Sequence, residues 1–404
     1  MTGTRTAPAR WHSPTLEVFL VFLRLGVTSF GGPVAHLGYF HAEFVERRRW
    51  LSEADYGDLL ALCQFLPGPA SSQVGFGIGL HRAGTRGALA AFLGFTAPSA
   101  ILLTAFAYGA TLFDNPVLVA VLTGLQIVAV AIVAQAVWGM ARTLTPDRTR
   151  ASIAVVATII ALTAPGSLGQ IVAILLGAGI GLWLCRAPAA APGDLHFRVP
   201  RAVAVVCLAL WALLLVGLPI LAEATHNGGI RLFDAFYRAG ALVFGGGHVV
   251  LPLLQAGVVD PGWVTPEQFL AGYGAAQAVP GPLFTFAGYL GALSQVGPGG
   301  VAGSVIALVA IFLPGFLLLV GVLPFWNALR ARVGMQAAMR GASAAVVGVL
   351  AAALYTPVFT TAITGPAEFC LALLCFVLLT AWRMPPWAVV LVGAVGGVVV
   401  AGVG

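Results

Sequence analysis

The chain has 404 residues, of which 59% are apolar and only 8% are charged, and its formal net charge is +6. A soluble core could not bury so much apolar surface, so the composition excludes a soluble protein and predicts an all-α polytopic membrane protein with roughly ten spans of about 20 residues. All twenty basic residues are arginines. In a membrane protein, this basic balance indicates cytoplasmic loops rather than a nucleic-acid partner.

The sequence has no pattern typical of a metal site, a cofactor site or a disulfide framework. Its five cysteines lie in apolar runs without CxxC spacing, and no GxxxxGK[ST] loop, HExxH motif or Ser/His/Asp set is present. We therefore expect no metal, no cofactor, no catalytic residue and no enzymatic activity. Residues 1–14 are polar and are expected to form a cytoplasmic tail rather than a cleavable signal peptide.

Two interrupted apolar segments open the chain. The segment 15–44 is broken at a Gly-Gly pair, and the segment 56–80 is broken at a Pro-Gly-Pro triplet. Four continuous apolar segments follow, at 87–113, 116–141, 151–164 and 167–185. The segment 151–164 is short for a membrane span.

The same order of parts then recurs. A loop and linker, 186–232, contains one further apolar span at Arg201–Glu223. After it come a GG-broken segment (233–257), a PGP-broken segment (267–295) and four continuous ones (301–325, 338–363, 366–382, 386–403). FLRLGVTSFGGP aligns with FYRAGALVFGGG at an offset of 214, and QFLPGP aligns with QAVPGP at an offset of 213. We interpret 15–185 and 233–404 as an internal duplication.

The arginines predict that the two repeats have inverted topology. The loops 43–55 and 81–87 of the first repeat carry five arginines, whereas the equivalent loops 257–268 and 294–300 carry none. The positive-inside rule therefore places equivalent loops on opposite sides of the membrane. If each GG and PGP segment is a re-entrant hairpin, nine crossings remain, with the N-terminus cytoplasmic and the C-terminus outside. A kinked full crossing is left open for the GG segments.

The broken segments predict an anion site at mid-membrane. Non-helical backbone is tolerated at that depth only where it lines a protein cavity. After each turn a half-helix begins with free N–H groups and the positive end of its dipole, and four such ends should converge. The candidate substrate-binding residues are Arg24, Gly31, Gly32, His36, Gln64, Gly68, Ser71 and Ser72 in the first repeat, and Arg238, Gly245, Gly246, Gly247, His248, Gln277, Gly281 and Thr285 in the second.

Several of these residues have an alternative structural role. Arg24 and Arg238 occupy equivalent positions, and they either bind substrate or brace the hairpins through backbone carbonyls. His36 and His248 follow the GG turns without being equivalent, and packing is an alternative to a proton-coupling or anion role.

The stretch FGGPVAHLGYFHAEFVERRRWLSEADYGDLLALCQFLPGPASSQ resembles the N-terminal signature of the chromate ion transporter (CHR) family. FGGGHVVLPLL and QAVPGPLFTFAGYLG resemble the other half of its long-chain, two-domain members, so the resemblance covers essentially the whole chain. The family's motifs match Gly31, Gly32, Pro67, Gly68 and Pro69, with second-repeat counterparts at Gly245, Gly246, Pro280, Gly281 and Pro282. One departure is GGG in place of GGP, which predicts a looser turn at Gly247.

The resemblance implies a bacterial or archaeal inner-membrane protein that exports chromate and confers chromate resistance. The repeats predict alternating access, driven by the membrane potential or a proton gradient. A sulfate or other oxyanion transporter or exchanger, and an anion channel, remain alternatives. The expected partners are a small oxyanion and the lipid bilayer, and a homodimer is left open.

Overall fold

A computed structural model describes residues 13–112, 116–164, 166–186, 199–244, 247–330 and 332–403 of the chain. Across these residues the protein is all-helical and contains no strand, which confirms the all-α polytopic prediction. Five described helices are long and apolar enough to cross a membrane: Ala70–Gly109, Pro116–Leu144, Arg201–Thr225, Gly300–Phe325 and Val333–Ala362.

The GG segment of the first repeat folds back on itself. Helix α1 (Pro14–Thr28) ends before the turn, and α2 (Gly32–Phe40) follows it and continues as a π-helical segment, His41–Arg47. Phe22 on α1 packs edge-on against Phe40 at 5.6 Å between ring centroids, and Glu17 forms a 2.9 Å ion pair with Arg48. Each pair joins two residues that lie about equally far along the sequence before and after the turn. The two arms therefore run side by side, and the segment is a hairpin and not a kinked crossing.

The PGP segment of the first repeat is a second hairpin. Helix α3 (Glu53–Phe65) leads into the motif, and α4 (Ala70–Leu112) leaves it. A Cβ built on Gly77 would lie 2.8 Å from Leu59 Cδ1, so the arms on either side of the motif pack together. Helix α4 has non-helical backbone at Ala83 and Gly84, where it reverses. The arm 70–82 is about 20 Å long, which is too short to span about 30 Å of hydrocarbon.

Three further helices and a linker helix complete the first half of the chain. They are α5 (Pro116–Leu144), α6 (Arg148–Thr163), α7 (Ser167–Leu184) and the linker helix α8 (Arg201–Thr225). Helix α6 has an N-cap at Asp147, whose side chain accepts a hydrogen bond from the Arg150 N–H.

The second repeat has the same two hairpins. Helix α9 (Gly228–Leu242) is followed by a 3₁₀ turn (Gly247–Val249), α10 (Val250–Leu254) and a π segment (Gln255–Val259). The PGP hairpin consists of α11 (Pro266–Ala278), a 3₁₀ turn (Leu283–Thr285) and α12 (Phe286–Leu293). The Tyr289 hydroxyl donates to the Gln268 carbonyl across the second hairpin. The 3₁₀ turns replace the regular helix starts that the sequence predicts here.

The six remaining helices are α13 (Gly300–Val322), α14 (Trp326–Arg330), α15 (Val333–Ala353), α16 (Thr360–Ala362), α17 (Pro366–Thr380) and α18 (Pro386–Val403). Of these, α15, α17 and α18 pack largely against the first half of the chain, whereas α13 packs mainly on α9 and α12 of its own repeat. Gly124 on α5 meets Gly393 on α18 backbone to backbone, and Gly177 on α7 meets Gly341 on α15 in the same way. Small residues thus let the helix backbones approach closely. Such packing contacts stabilise helix association inside the bilayer, where the hydrophobic effect does not drive helices together.

The hairpins of the two repeats open among different loops. Those of the first repeat open at a face where Glu17 contacts Arg48 and Arg82 and where His81 lines a cavity with Pro200. We call this the arginine-rich face. Those of the second repeat open where the Gln295 N–H donates to the Trp263 carbonyl and the Val301 N–H donates to the Tyr108 hydroxyl.

Candidate functional site

Two reciprocal backbone hydrogen bonds join the four turns. The Gly68 N–H in the first PGP turn donates to the Val243 carbonyl, which precedes the second GG pair, over 2.8 Å. The Gly281 N–H in the second PGP turn donates to the Ser29 carbonyl, which precedes the first GG pair, over 3.0 Å. Gly68 corresponds to Gly281 and Ser29 to Val243 in the repeat alignment. Each PGP turn therefore docks on the GG turn of the other repeat.

Both central glycines of the PGP motifs have backbone that other residues rarely adopt. Gly68 has φ +124° and Gly281 has φ +104°. A Cβ at Gly68 would lie 3.0 Å from the Gly315 Cα, and a Cβ at Gly281 would lie 2.8 Å from the Ser99 Oγ. Glycine is thus required at each position for two reasons: the backbone conformation and the close approach of the other repeat.

The helix starts also meet across the repeats. A Cβ at Gly247 would lie 2.9 Å from Pro33 Cγ and 3.5 Å from Leu283 Cδ2, so three of the four starts touch. The fourth start, at Ala70, follows directly on the turn that binds Val243. The N-terminal ends that the sequence predicts to be anion-binding are therefore brought together in the described structure.

The side chains at these turns are buried, and several lack partners among the described residues. Gln73 donates through Nε2 to the Pro67 and Gly315 carbonyls, at 3.1 and 2.9 Å, while its Oε1 has no partner. The buried hydroxyls without partners here belong to Ser29, Ser72 and Thr96, and Gln277 Nε2 is also unpaired. Buried polar atoms are normally satisfied, so these groups are available to a polar ligand or to water.

The polar side chains come mainly from the first repeat. In addition to the 214 and 213 offsets at the turns, Pro98 of α4 aligns with Pro314 of α13 at an offset of 216. At five aligned positions the first repeat then has Ser29, Ser72, Gln73, Thr96 and Ser99, whereas the second repeat has Val243, Thr285, Phe286, Phe312 and Gly315. Only Thr285 keeps a hydroxyl, and that hydroxyl is satisfied by the Pro282 carbonyl at 2.7 Å. The two turn pairs therefore share their backbone hydrogen bonds but differ in the polarity of the side chains around them.

The two predicted arginines have different surroundings. Arg238 forms a two-point ion pair with the buried Asp234, at 2.7 and 3.1 Å, so its charge is balanced within α9. Arg24 is exposed on α1 and forms no ion pair with any described residue. The position equivalent to Asp234 is Leu20, so the first repeat has no carboxylate to balance Arg24.

The two predicted histidines are both held by neighbours. His36 is fully buried, donates through Nε2 to the Ser29 carbonyl at 3.2 Å and packs edge-on against Phe95. His248 pairs through Nδ1 with the buried Tyr273 hydroxyl at 2.5 Å. Each contact uses one ring nitrogen to fix a turn, whereas His36 Nδ1 is buried without a partner among the described residues.

The other predicted residues are divided between the turns and the surface. Ser71 and Thr285 are buried beside the PGP turns, and Gly31 and Gly32 form the first GG turn with positive φ. Gln64 is exposed, whereas Gln277 lies close to Tyr273. Gly245 and Gly246 lie outside the described residues.

Sequence reasoning missed Ser29, Gln73, Thr96 and Ser99. Ser29 precedes the GG pair and Gln73 lies one turn beyond PGP, so a search extended by one helical turn would have found both. Thr96 and Ser99 lie on α4, next to Pro98, which is a polar break in an apolar segment. Among the described residues no cluster of three His, Cys, Asp or Glu side chains could hold a metal ion.

Comparison with known proteins decides the family. The family model described as "Chromate transporter" matches residues 16–182 and again residues 230–398. The chain belongs to the chromate transporter family. It is 29% identical to the probable chromate transport protein of Synechococcus elongatus, over 94% of this chain and 93% of that protein.

Two further members of the chromate transporter family are similar over most of their length. The chromate transport protein of Pseudomonas aeruginosa is 30% identical over 83% of this chain and 79% of its own. That of Cupriavidus metallidurans is 30% identical over 84% of this chain and 81% of its own. No solved structure matches the chain. As a member of this family, the chain is a multi-pass membrane transport protein and not an enzyme.

Proposed function

We propose that this transporter exports chromate from the cytoplasm by alternating access between two halves of inverted topology. The observation that carries the proposal is the reciprocal docking of each PGP turn on the GG turn of the other repeat, through Gly68–Val243 and Gly281–Ser29. A site built from both halves, at their mutual contact, opens when one half rocks against the other.

The proposed orientation places the arginine-rich face in the cytoplasm. Arg47, Arg48 and Arg82 lie at this face. This orientation places Arg150 and Arg186 on the same side, and Arg231, which stacks on Trp263, outside. The N-terminus is then cytoplasmic and the C-terminus outside, in the inner membrane of a bacterium or archaeon.

The substrate class follows from the groups at the turns. The unpaired hydroxyls of Ser29, Ser72 and Thr96 and the amide of Gln277 are hydrogen-bond donors, and helix starts add backbone N–H groups. Chromate is a tetrahedral dianion that accepts such bonds. Sulfate has the same charge and shape, so a sulfate transporter or exchanger is the second candidate.

The membrane potential is sufficient to drive export. Moving a dianion out of a negative-inside cell releases about 4–5 kcal/mol per 100 mV, at about 2.3 kcal/mol per charge. Export of this kind confers chromate resistance without ATP. Coupling to a proton gradient is the alternative driving force, and a channel would show transport without saturation.

Transport into inside-out membrane vesicles tests the proposal. We expect saturable uptake of labelled chromate that increases when the vesicle interior is made positive, because uptake into such vesicles corresponds to export. An excess of unlabelled sulfate should compete weakly. Uptake of sulfate at the same rate would contradict chromate selectivity, and no uptake of either anion, by protein shown to be inserted, would contradict the function.

A further inference from the structure

A basic cavity is lined by none of the residues of the four turns. It has a volume of about 450 Å³ and lies where α6 begins, α7 ends and α15 passes. Its charged lining residues are Arg148, Arg150, Arg186, Arg340 and Asp147. Four guanidinium groups against one carboxylate leave a net charge of +3, and the carboxylate is already paired with Arg150 at 2.6 Å.

The cavity is partly preorganised by hydrogen bonds. Arg340 donates to the Cys185 carbonyl at 2.9 Å and to Gln336 Oε1 at 3.1 Å, and Arg186 donates to the Leu182 carbonyl. Arg340 belongs to the second repeat, Arg148 and Arg150 belong to the first, and Arg186 follows the first repeat directly. The cavity is thus shared by both halves of the transporter.

An apolar groove begins where the basic cavity ends. The groove is a shallow, open strip on the outer surface of α7 alone, lined by Val172, Leu175, Leu176, Gly179, Ile180, Trp183 and Leu184. Leu184 lines both the groove and the basic cavity. From 172 to 184 the groove extends about 18 Å, close to the thickness of one leaflet of a bilayer whose core is about 30 Å thick.

We propose that the basic cavity and the α7 groove together bind one anionic phospholipid, with its phosphate among the arginines and an acyl chain along α7. Basic pockets between membrane helices suit lipid phosphates, and guanidinium groups bind phosphate in two-point geometry. The exposed Trp183 lies at the junction, a position typical of interfacial aromatic side chains.

Charge and shape favour a lipid over other occupants. A free phosphate ion would leave the adjoining apolar groove unused. A second copy of the chain packed on α7 across a two-fold axis would bring two cavities of net charge +3 near each other on the same face. A phospholipid matches both the charge of the cavity and the apolar surface next to it.

Lipid titration of the intact purified protein, followed by native mass spectrometry, tests the proposal. We expect phosphatidylglycerol to remain bound at concentrations at which phosphatidylcholine is lost. The double variant Arg148→Gln/Arg186→Gln should bind phosphatidylglycerol about 30-fold more weakly, at about 1 kcal/mol per arginine near an anionic headgroup. The control Arg142→Gln/Arg332→Gln removes two exposed arginines outside the cavity and should bind as the wild type does.

A groove variant separates a lipid from a free anion. An added Cβ at Gly179 meets no atom within 4 Å, so Gly179→Leu fills the groove without disturbing the helix. We expect it to weaken phosphatidylglycerol binding while the arginines remain. Three results would each overturn the lipid assignment. The first is equal retention of both lipids. The second is displacement of phosphatidylglycerol by millimolar inorganic phosphate with no effect of Gly179→Leu, and the third is a dimer that Gly179→Leu dissociates.

Discussion

At the scale of single residues, the site depends on a few atoms that approach closely across the two repeats. Gly281 combines a positive φ with a neighbour on another helix, Ser99, at the distance where a methyl group would collide. The aligned contact in the other turn pair is between Gly68 and Gly315, where both residues are glycines. Substitution at these positions therefore reports on docking between repeats.

Gly281→Ala should reduce chromate transport at least tenfold without preventing membrane insertion. The new Cβ would meet the Ser99 Oγ at 2.8 Å, and the left-handed backbone adds about 1–2 kcal/mol of strain. Gly262→Ala is the control, since Gly262 has φ +76° with no atom within 4 Å of an added Cβ, so it carries the strain without the collision. Transport and the amount of inserted protein are measured together. Gly281→Ala/Ser99→Gly should transport as well as Ser99→Gly alone, and its failure to do so would remove this contact from the explanation.

Arg24→Gln should weaken substrate binding, whereas Arg238→Gln should lower stability, although the two positions are equivalent in the repeats. Arg24 has no acidic partner among the described residues, so its loss should raise the KM for chromate about tenfold or more. Arg238→Gln leaves the buried Asp234 unpaired and should lower the melting temperature, which Asp234→Asn/Arg238→Gln should restore. Vesicle kinetics and thermal unfolding measure the two effects. An unchanged KM in Arg24→Gln would exclude Arg24 from binding.

At the scale of elements, the sequence predicts which segments break but not how each continues. The GG and PGP motifs and their 214- and 213-residue offsets locate all four turns because Gly and Pro interrupt helices. Hairpins and kinked crossings remained indistinguishable at the GG pairs, since the difference lies in long-range contacts such as Phe22–Phe40 and Glu17–Arg48. The 3₁₀ and π segments of the second GG hairpin carry no local sequence signal.

Gly87→Leu should prevent the first PGP hairpin from packing against the helix that follows it. Gly79 and Gly87 meet backbone to backbone across the reversal at Ala83 and Gly84, so a side chain there separates the two arms. Gly109→Leu lies on the same helix with no atom within 4 Å of an added Cβ and serves as the matched control. Gel filtration in mild detergent should give folded protein for the control and aggregate for Gly87→Leu. Equal yields would show that the contact is dispensable.

At the scale of the whole molecule, the topology rests on which loops share a face. The composition predicts the membrane class, and the arginine bias predicts the sidedness of the loops. The sequence does not predict which helices of one repeat pack against helices of the other, because contacts such as Gly124–Gly393 depend on how distant helices associate. The same is true of the unequal polarity of the two turn pairs, since it is clear only once Ser29, Thr96 and Ser99 are seen together.

Cysteines at two aligned positions should be labelled from opposite sides of the membrane. Ala54 and Glu267 are both exposed, lie near the starts of α3 and α11, and are 213 residues apart. In intact cells a membrane-impermeant maleimide should react with Glu267→Cys and not with Ala54→Cys, and in inside-out vesicles the pattern should reverse. The variants are made in a chain whose five native cysteines are replaced by alanine. Labelling of both from one side would exclude the inverted arrangement.

A disulfide between the halves should stop transport if the halves move against each other at the turns. Pro33→Cys/Gly247→Cys places two thiols where Pro33 Cγ lies 2.9 Å from a Cβ built on Gly247, a contact between the two repeats. Oxidation should abolish chromate uptake in this variant, and reduction should restore it, because alternating access requires this contact to open on one face at a time. Leu59→Cys/Gly77→Cys is the matched control: it joins the two arms of one hairpin, which move together, and should transport in both redox states. Full transport by the oxidised Pro33→Cys/Gly247→Cys protein would mean that the repeats stay in contact at the turns throughout the cycle, and the anion would then have to pass through a fixed opening as in a channel.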